Sequence, residues 1–234
     1  MTAIIKRELS SYFNSAIGYI VLAVFTFFSG LFFYLYCLLS NTTSMSYVFL
    51  SMLMIVILLI PIITMKSFSE ERKQKTDQAL LTAPVSLTEM VLGKFLGAFI
   101  LYCICNTIYI LYALILAIYA TPDWAVFLST LLGMLLMGGA LIAIDLFISS
   151  LTESQVIAAV FSIGVGLLIY MLDSLSNLIS DEWFVRILNN ISFDAHFTNF
   201  INGIINLTSV VFFLSVIAVF LFLCIRVFEK RRWS

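Results

Sequence analysis

Long apolar runs joined by short polar stretches set the pattern of this chain. Asp, Glu, Lys and Arg are absent from Leu9 to Met65 and again from Phe95 to Pro122. A helix needs about 20 apolar residues to cross about 30 Å of hydrocarbon. The runs therefore predict six spans, at about 17–39, 46–65, 90–119, 124–148, 155–172 and 207–228. They do not alternate apolar and polar positions, so helices rather than barrel strands are the spanning form. Ahead of the first span, residues 1–16 place Ile5, Leu9, Tyr12 and Ala16 at helical spacing, with Lys6, Arg7, Ser10 and Asn14 elsewhere. That pattern reads as an amphipathic helix lying in the interface. Between the fifth and last spans, Trp183–Val185 and Phe197–Ile205 are apolar patches too short to cross. They read as short re-entrant or interfacial helices on the external side. The expected fold is an all-α polytopic membrane protein, one domain over 1–234, with six transmembrane helices.

Polar joints supply helix-start signals. Ser67-Phe-Ser-Glu70, Ser86-Leu-Thr-Glu89 and Thr152-Glu-Ser-Gln155 each have the form of a capping box. In such a box the hydroxyl accepts an early backbone N–H and the Glu or Gln reaches back to the cap residue. They are expected to open the charged helix, the third span and the fifth span.

Composition excludes a soluble fold. The chain is 62% hydrophobic and 11% charged, and its mean hydropathy is +1.12. Soluble domains carry about 25% charged residues. Net charge is −1, which gives no basic footprint for nucleic acid. Cys37, Cys103, Cys105 and Cys224 all sit in apolar runs and read as small buried hydrophobes. With His196 the only histidine, a zinc or haem site is not expected. Lys6-Arg7-Glu8 resembles the charged start of a signal peptide, but the apolar run after it is too long for one and lacks a small-residue cleavage pattern.

Charge placement sets the orientation. With the N-terminus in the cytoplasm, Lys6, Arg7, Lys66, Arg72, Lys73, Lys75, Lys94, Arg226, Lys230, Arg231 and Arg232 fall inside and only Arg186 falls outside. Both termini are expected in the cytoplasm, in a multi-pass protein of the inner (cytoplasmic) cell membrane.

The most informative polar stretch is Phe68 to Pro84. It joins two spans that a few residues could have joined, and it sets Phe68, Leu80 and Leu81 beside Glu70, Glu71, Arg72, Lys73 and Lys75. A helix over 67–82 that docks on a partner in the aqueous phase fits that mixture. A solvated helix face with an ordinary i,i+4 pair from Glu71 to Lys75 fits it as well. No Walker A motif, H-E-x-x-H or G-x-S-x-G occurs, so no nucleotide site or hydrolase site of those kinds is expected. Asp145 is the one ionisable residue well inside a predicted span. It lies toward the inner end of that span, where a carboxylate near the headgroups, hydrogen-bonded to a neighbouring helix, is the simplest reading. Roles in a transport path or in helix pairing are the alternatives.

The charged stretch resembles the cytoplasmic coupling region of ABC-2 type exporter permeases, whose pattern is approximately Phe-x-Glu-Glu-[Lys/Arg]-x-x-Gly-Thr followed by Leu-Leu-x-x-Pro. The matching residues are Phe68, Glu70, Glu71, Arg72, Thr76, Leu80, Leu81 and Pro84. Lys75 departs from the family's Gly. Leu146 to Gln155 resembles the family's junction between spans four and five, where Asp145 stands in place of a small residue. The resemblance runs the length of the chain and is closest to gliding-motility-type and copper-maturation permeases.

The resemblance implies a permease subunit that exports a substrate or transmits force and is not itself an enzyme. A separate ABC ATPase subunit would hold ATP and Mg, and this chain would bind no cofactor. The coupling residues above and a second turn at Ser150, Thr152, Glu153 and Gln155 would dock that ATPase. A second copy of the chain, or a related permease, would complete the membrane part, with an auxiliary membrane or extracytoplasmic protein as a further partner. A secondary transporter or channel working without ATP, and a membrane scaffold of a larger complex, are the readings from other classes. Pro61 and Gly138-Gly139 are the places where broken helices of the first of these would lie.

Overall fold

A computed structural model describes residues 1–73, 86–176 and 190–232. Among the described residues there are eight helices and no strand. They are α1 (Thr2–Asn14), α2 (Ala16–Phe33, continued by a π turn over Tyr34–Leu38), α3 (Ser46–Lys73), α4 (Leu87–Tyr119), α5 (Trp124–Leu151), α6 (Gln155–Ser176), α7 (Phe193–Ile201) and α8 (Leu207–Arg232). Thr76, Leu80, Leu81 and Pro84 of the coupling pattern, and most of the expected external segment, lie outside the described residues.

Among the described residues, five helices are long and apolar enough to cross a membrane: α2 with its π turn, α3, α4, α5 and α8. The expected fifth span corresponds to α6, whose apolar stretch, Gln155–Met171, is shorter than those of the other five. Central and peripheral helices separate by burial. In the most apolar window of α5, 67% of residues are buried within the chain, against 17% for α8. The bundle is built around α3 and α5, with α2 and α8 at its rim.

One end of the bundle is charged. Arg7 of α1, Arg72 at the end of α3, Lys94 near the start of α4 and Arg231 at the end of α8 all have partners there. The opposite end holds the 39–45 connection, Asp123 and α7. Asp123 caps α5 by accepting from the N–H groups of Ala125 and Val126. Helix α7 does not lie out on a surface. Its Phe193, Phe197 and Phe200 are buried. The hydroxyl of Thr130 on α5 donates to the Phe200 carbonyl at 3.2 Å.

Three expectations are corrected. The Ser67 capping box does not open a new helix, because α3 runs unbroken from Ser46 to Lys73. Nothing in Met65–Lys73 interrupts it, and the Ser69 hydroxyl donates back to the Met65 carbonyl within the helix. The box at Thr152 is displaced by two residues. Thr152 ends α5, and Ser154 starts α6 by accepting from Ile157 N–H at 3.5 Å. Pro61 and Gly138-Gly139 sit inside continuous helices rather than at breaks. The Ser86 box forms as read, with Glu89 N–H donating to Ser86 Oγ at 3.2 Å.

Candidate functional site at the charged end

Helix α1 is seated on α4 by two glycines one turn apart. A Cβ at Gly93 would come within 2.8 Å of Ile4 Cγ2, and one at Gly97 within 2.8 Å of Glu8 Cβ. Small residues at i and i+4 let helix backbones approach closely. The buried face of α1 is therefore Glu8 and Tyr12, with Ile4 against Gly93. Ile5 and Leu9 lie to its side and are half-buried.

That close approach brings a charge cluster together. Lys94 is 1% exposed. Its Nζ donates to Glu8 Oε1 at 3.1 Å and to the Ser67 carbonyl at 2.5 Å, and it lies 2.9 Å from Glu71 Oε1. Arg7 bonds the same two carboxylates, Glu8 at 3.0 Å and Glu71 at 2.8 Å. Two cations and two carboxylates thus close to neutrality across α1, α3 and α4. A buried charge without a partner would cost several kcal/mol, on the order of 3–5 when one partner of such a pair is removed. Burial alone would lower the Arg7 pKa, but the hydrogen bonds and charges of Glu8 and Glu71 outweigh it and push it up. The Tyr12 hydroxyl donates to the Ile63 carbonyl at 3.1 Å, and burial first, then Glu8, pushes its pKa up.

The next turn of α3 meets the α5–α6 junction. Arg72 donates to the Leu151 carbonyl at 2.7 Å and pairs with Glu153 at 2.9 Å. Behind it, Ser149 Oγ accepts from Phe68 N–H and Ser69 N–H, both at 3.3 Å, and donates to the Met65 carbonyl. Arg231 of α8 donates to the Ser150 carbonyl. The two segments singled out in the sequence, Phe68–Arg72 and Ser150–Gln155, therefore form one joined surface.

Within that surface the residues divide by exposure. Glu153 is 66% exposed in its side chain and Arg72 28%. Phe68, one of the residues matching the coupling pattern, is 3% exposed. Its ring packs on Phe228 at 4.8 Å and lies 5.0 Å from Lys94 Nζ. It fastens α3 to α8 and α4 rather than offering itself to a partner. Ser150 is also buried, and the Thr152 hydroxyl is buried without a partner. Gln155 begins α6.

Asp145 lies elsewhere, about six residues or 9 Å up α5 from Leu151. It is 4% exposed. The side chains of Thr64 on α3 and Ser162 on α6 lie beside its carboxyl. Among the described residues, no group of three or more His, Cys, Asp or Glu could hold a metal ion.

Sequence reasoning missed Lys94, Glu8 and the Gly93–Gly97 seat. Lys94 entered only as one of eleven cations on the inner side, and Glu8 only as part of a charged N-terminus. A usable signal existed. Lys94 is flanked by glycines at −1 and +3, two turns into an apolar helix, where a lysine needs a partner.

Comparison with known protein families assigns the chain. The model of the ABC-2 family transporter protein family matches residues 2–233, and the chain belongs to that family. No curated protein matches the chain significantly. The protein is thus a multi-pass membrane component of an ABC transporter. Members of this family lack ATPase domains and work with a separate ABC ATPase subunit.

Proposed function

We propose that this chain is the permease subunit of an ABC exporter or force-transmitting complex, coupled to its ATPase through the joined surface of Glu70–Lys73 and Leu151–Ser154. The observation that carries the reading is the Arg72–Glu153 pair with the Arg72–Leu151 hydrogen bond. It makes two sequence-distant segments move as one. A force on either reaches α3, α5 and α6 together, and these helices pack on one another through the bundle. A bistable packed interface biased by a ligand elsewhere is the physical form such coupling takes. The adjacent Glu71 ties the same turn of α3 to α1 and α4.

Six spans with both termini in the cytoplasm complete the reading. Helix α6 starts beside the charged end at Ser154. Helix α7, which follows it, packs on Thr130 toward the other end. With 22 residues, α6 is about 33 Å long at 1.5 Å per residue, enough to cross. The Lys/Arg distribution places the charged end inside. Two copies of the chain, or this chain and a related permease, would form the membrane part.

The test is a charge exchange. Arg72→Glu should reduce ATPase co-purification and transport-coupled ATP hydrolysis, and Glu153→Arg should do the same. The double exchange should recover most of the loss, because the pair is re-formed with its sign reversed. Unchanged coupling in both single variants would refute this surface as the coupling site.

A further inference from the structure

Between α1 and α3 the charged end opens into a cleft of about 530 Å³. Its walls combine three kinds of group. Arg7, Lys66 and Lys94 face Glu8, Glu70 and Glu71, so the lining carries equal numbers of cations and carboxylates. Ser11, Ser15 and Ser67 add hydroxyls, and Ile17 and Ile63 form an apolar floor where α2 and α3 enter the hydrophobic part of the bundle. Most of this charge is already committed. Lys94, Arg7, Glu8 and Glu71 satisfy one another. Two groups are not committed. Lys66 has no hydrogen-bond or ion-pair partner among the described residues. The Ser67 hydroxyl, in a residue 4% exposed, is buried with none.

A donor without an acceptor in a half-buried site calls for an acceptor. We propose that this cleft seats the headgroup of a zwitterionic phospholipid. Its phosphate is taken by Lys66 with the Ser67 hydroxyl, and its glycerol and first acyl methylenes lie on Ile17 and Ile63. Three features select that ligand. The phosphate oxygens match the unpaired Lys66 ammonium and the unpaired Ser67 hydroxyl. The polar wall grades into an apolar floor in the order headgroup, glycerol, chain. The lining carries equal numbers of cations and carboxylates, so a net-neutral headgroup, whose ammonium offsets its phosphate, leaves the cleft balanced, whereas an anionic one adds an unbalanced charge. A bound lipid would wedge between α1 and α3 beside the Lys94 cluster, and so would bear on the element that carries the coupling surface. The seat itself needs only a membrane-embedded chain and stands apart from ATPase docking.

The test uses the full chain in nanodiscs containing equal phosphatidylethanolamine and phosphatidylglycerol, followed by mild delipidation and native mass spectrometry. Wild type should retain phosphatidylethanolamine in preference to phosphatidylglycerol, and Lys66→Gln should lower that retention about tenfold, the loss of one charge-assisted hydrogen bond. Soluble glycerophosphoethanolamine should compete with the lipid, whereas inorganic phosphate should not. Equal retention in Lys66→Gln, preference for phosphatidylglycerol, or displacement by inorganic phosphate alone would each overturn the proposal. If Lys66→Gln fails to fold, wild type still decides. A phosphatidylethanolamine with a photoreactive headgroup should cross-link to Ser11–Ser15 or Ile63–Ser67, and cross-links confined to other segments would refute the seat.

Discussion

Lys94 is the residue on which the charged end depends. Its ammonium is 1% exposed and holds a carboxylate from α1, a carboxylate from α3 and a backbone carbonyl. Lys94→Met keeps the length and removes the charge, leaving Glu8 and Glu71 to share Arg7. The expected loss is on the order of 3–5 kcal/mol, as for other broken buried pairs. It should appear as a lower thermal midpoint of the detergent-solubilised protein. Adding Glu8→Gln to Lys94→Met should recover part of the loss, since the stranded carboxylate goes with it. Asp145 contrasts with this. Its neighbours Thr64 and Ser162 carry hydroxyls that can donate or accept, so Asp145→Asn keeps a polar group beside them. Its midpoint should fall by no more than about 1 kcal/mol equivalent, and an outcome as severe as Lys94→Met would reveal a role beyond packing.

At the scale of elements, legibility in the sequence followed locality. The Ser86–Glu89 cap spans three residues and formed as read. The five long apolar helices were visible as runs, because hydropathy is a property of the run itself. Features set by distant partners were not visible. The Lys94–Glu8 bond joins residues 86 apart in sequence, and no local pattern announces it. The Ser67 box had the right letters, yet the helix before it had no reason to stop, so the cap never formed. Phe68 had the look of a docking anchor because nothing in sequence reveals that Phe228 covers it. The α1–α4 seat gives an element-scale prediction. A side chain at Gly97 would strike Glu8 Cβ, which is backbone-proximal and cannot swing away. Gly97→Val should therefore lift α1 from α4 and expose its backbone to local opening. Trypsin should then cut after Lys6 and Arg7 several-fold faster than in wild type, while cleavage elsewhere is unchanged. Equal cutting rates would mean that α1 is held mainly by other contacts.

For the whole molecule, the proposed six traversals must place the charged end on one side of the membrane. The charge cluster of α1, the end of α3, the α5–α6 junction and the end of α8 lie together. The 39–45 connection, Asp123 and α7 lie together at the other end. Five crossings would put the two chain ends on opposite sides, whereas Arg7 and Arg231 both bond within the same charged end. An even number fits that arrangement, and the proposed topology takes α6 as the sixth. The prediction is tested with single cysteines in a chain whose four native cysteines are replaced. Probes at Thr2, Lys73 and Lys230 should react with a membrane-impermeant reagent only when the cytoplasmic face is open to it. Probes at Asn41 and Thr121 should react in intact cells. These five positions are exposed, so silence cannot be blamed on burial. Labelling of position 73 in intact cells would invert the orientation and, with it, the placement of the coupling surface on the ATPase side. Labelling of positions 2 and 230 from opposite faces would instead remove α6 from the spans and leave the orientation of α3 intact.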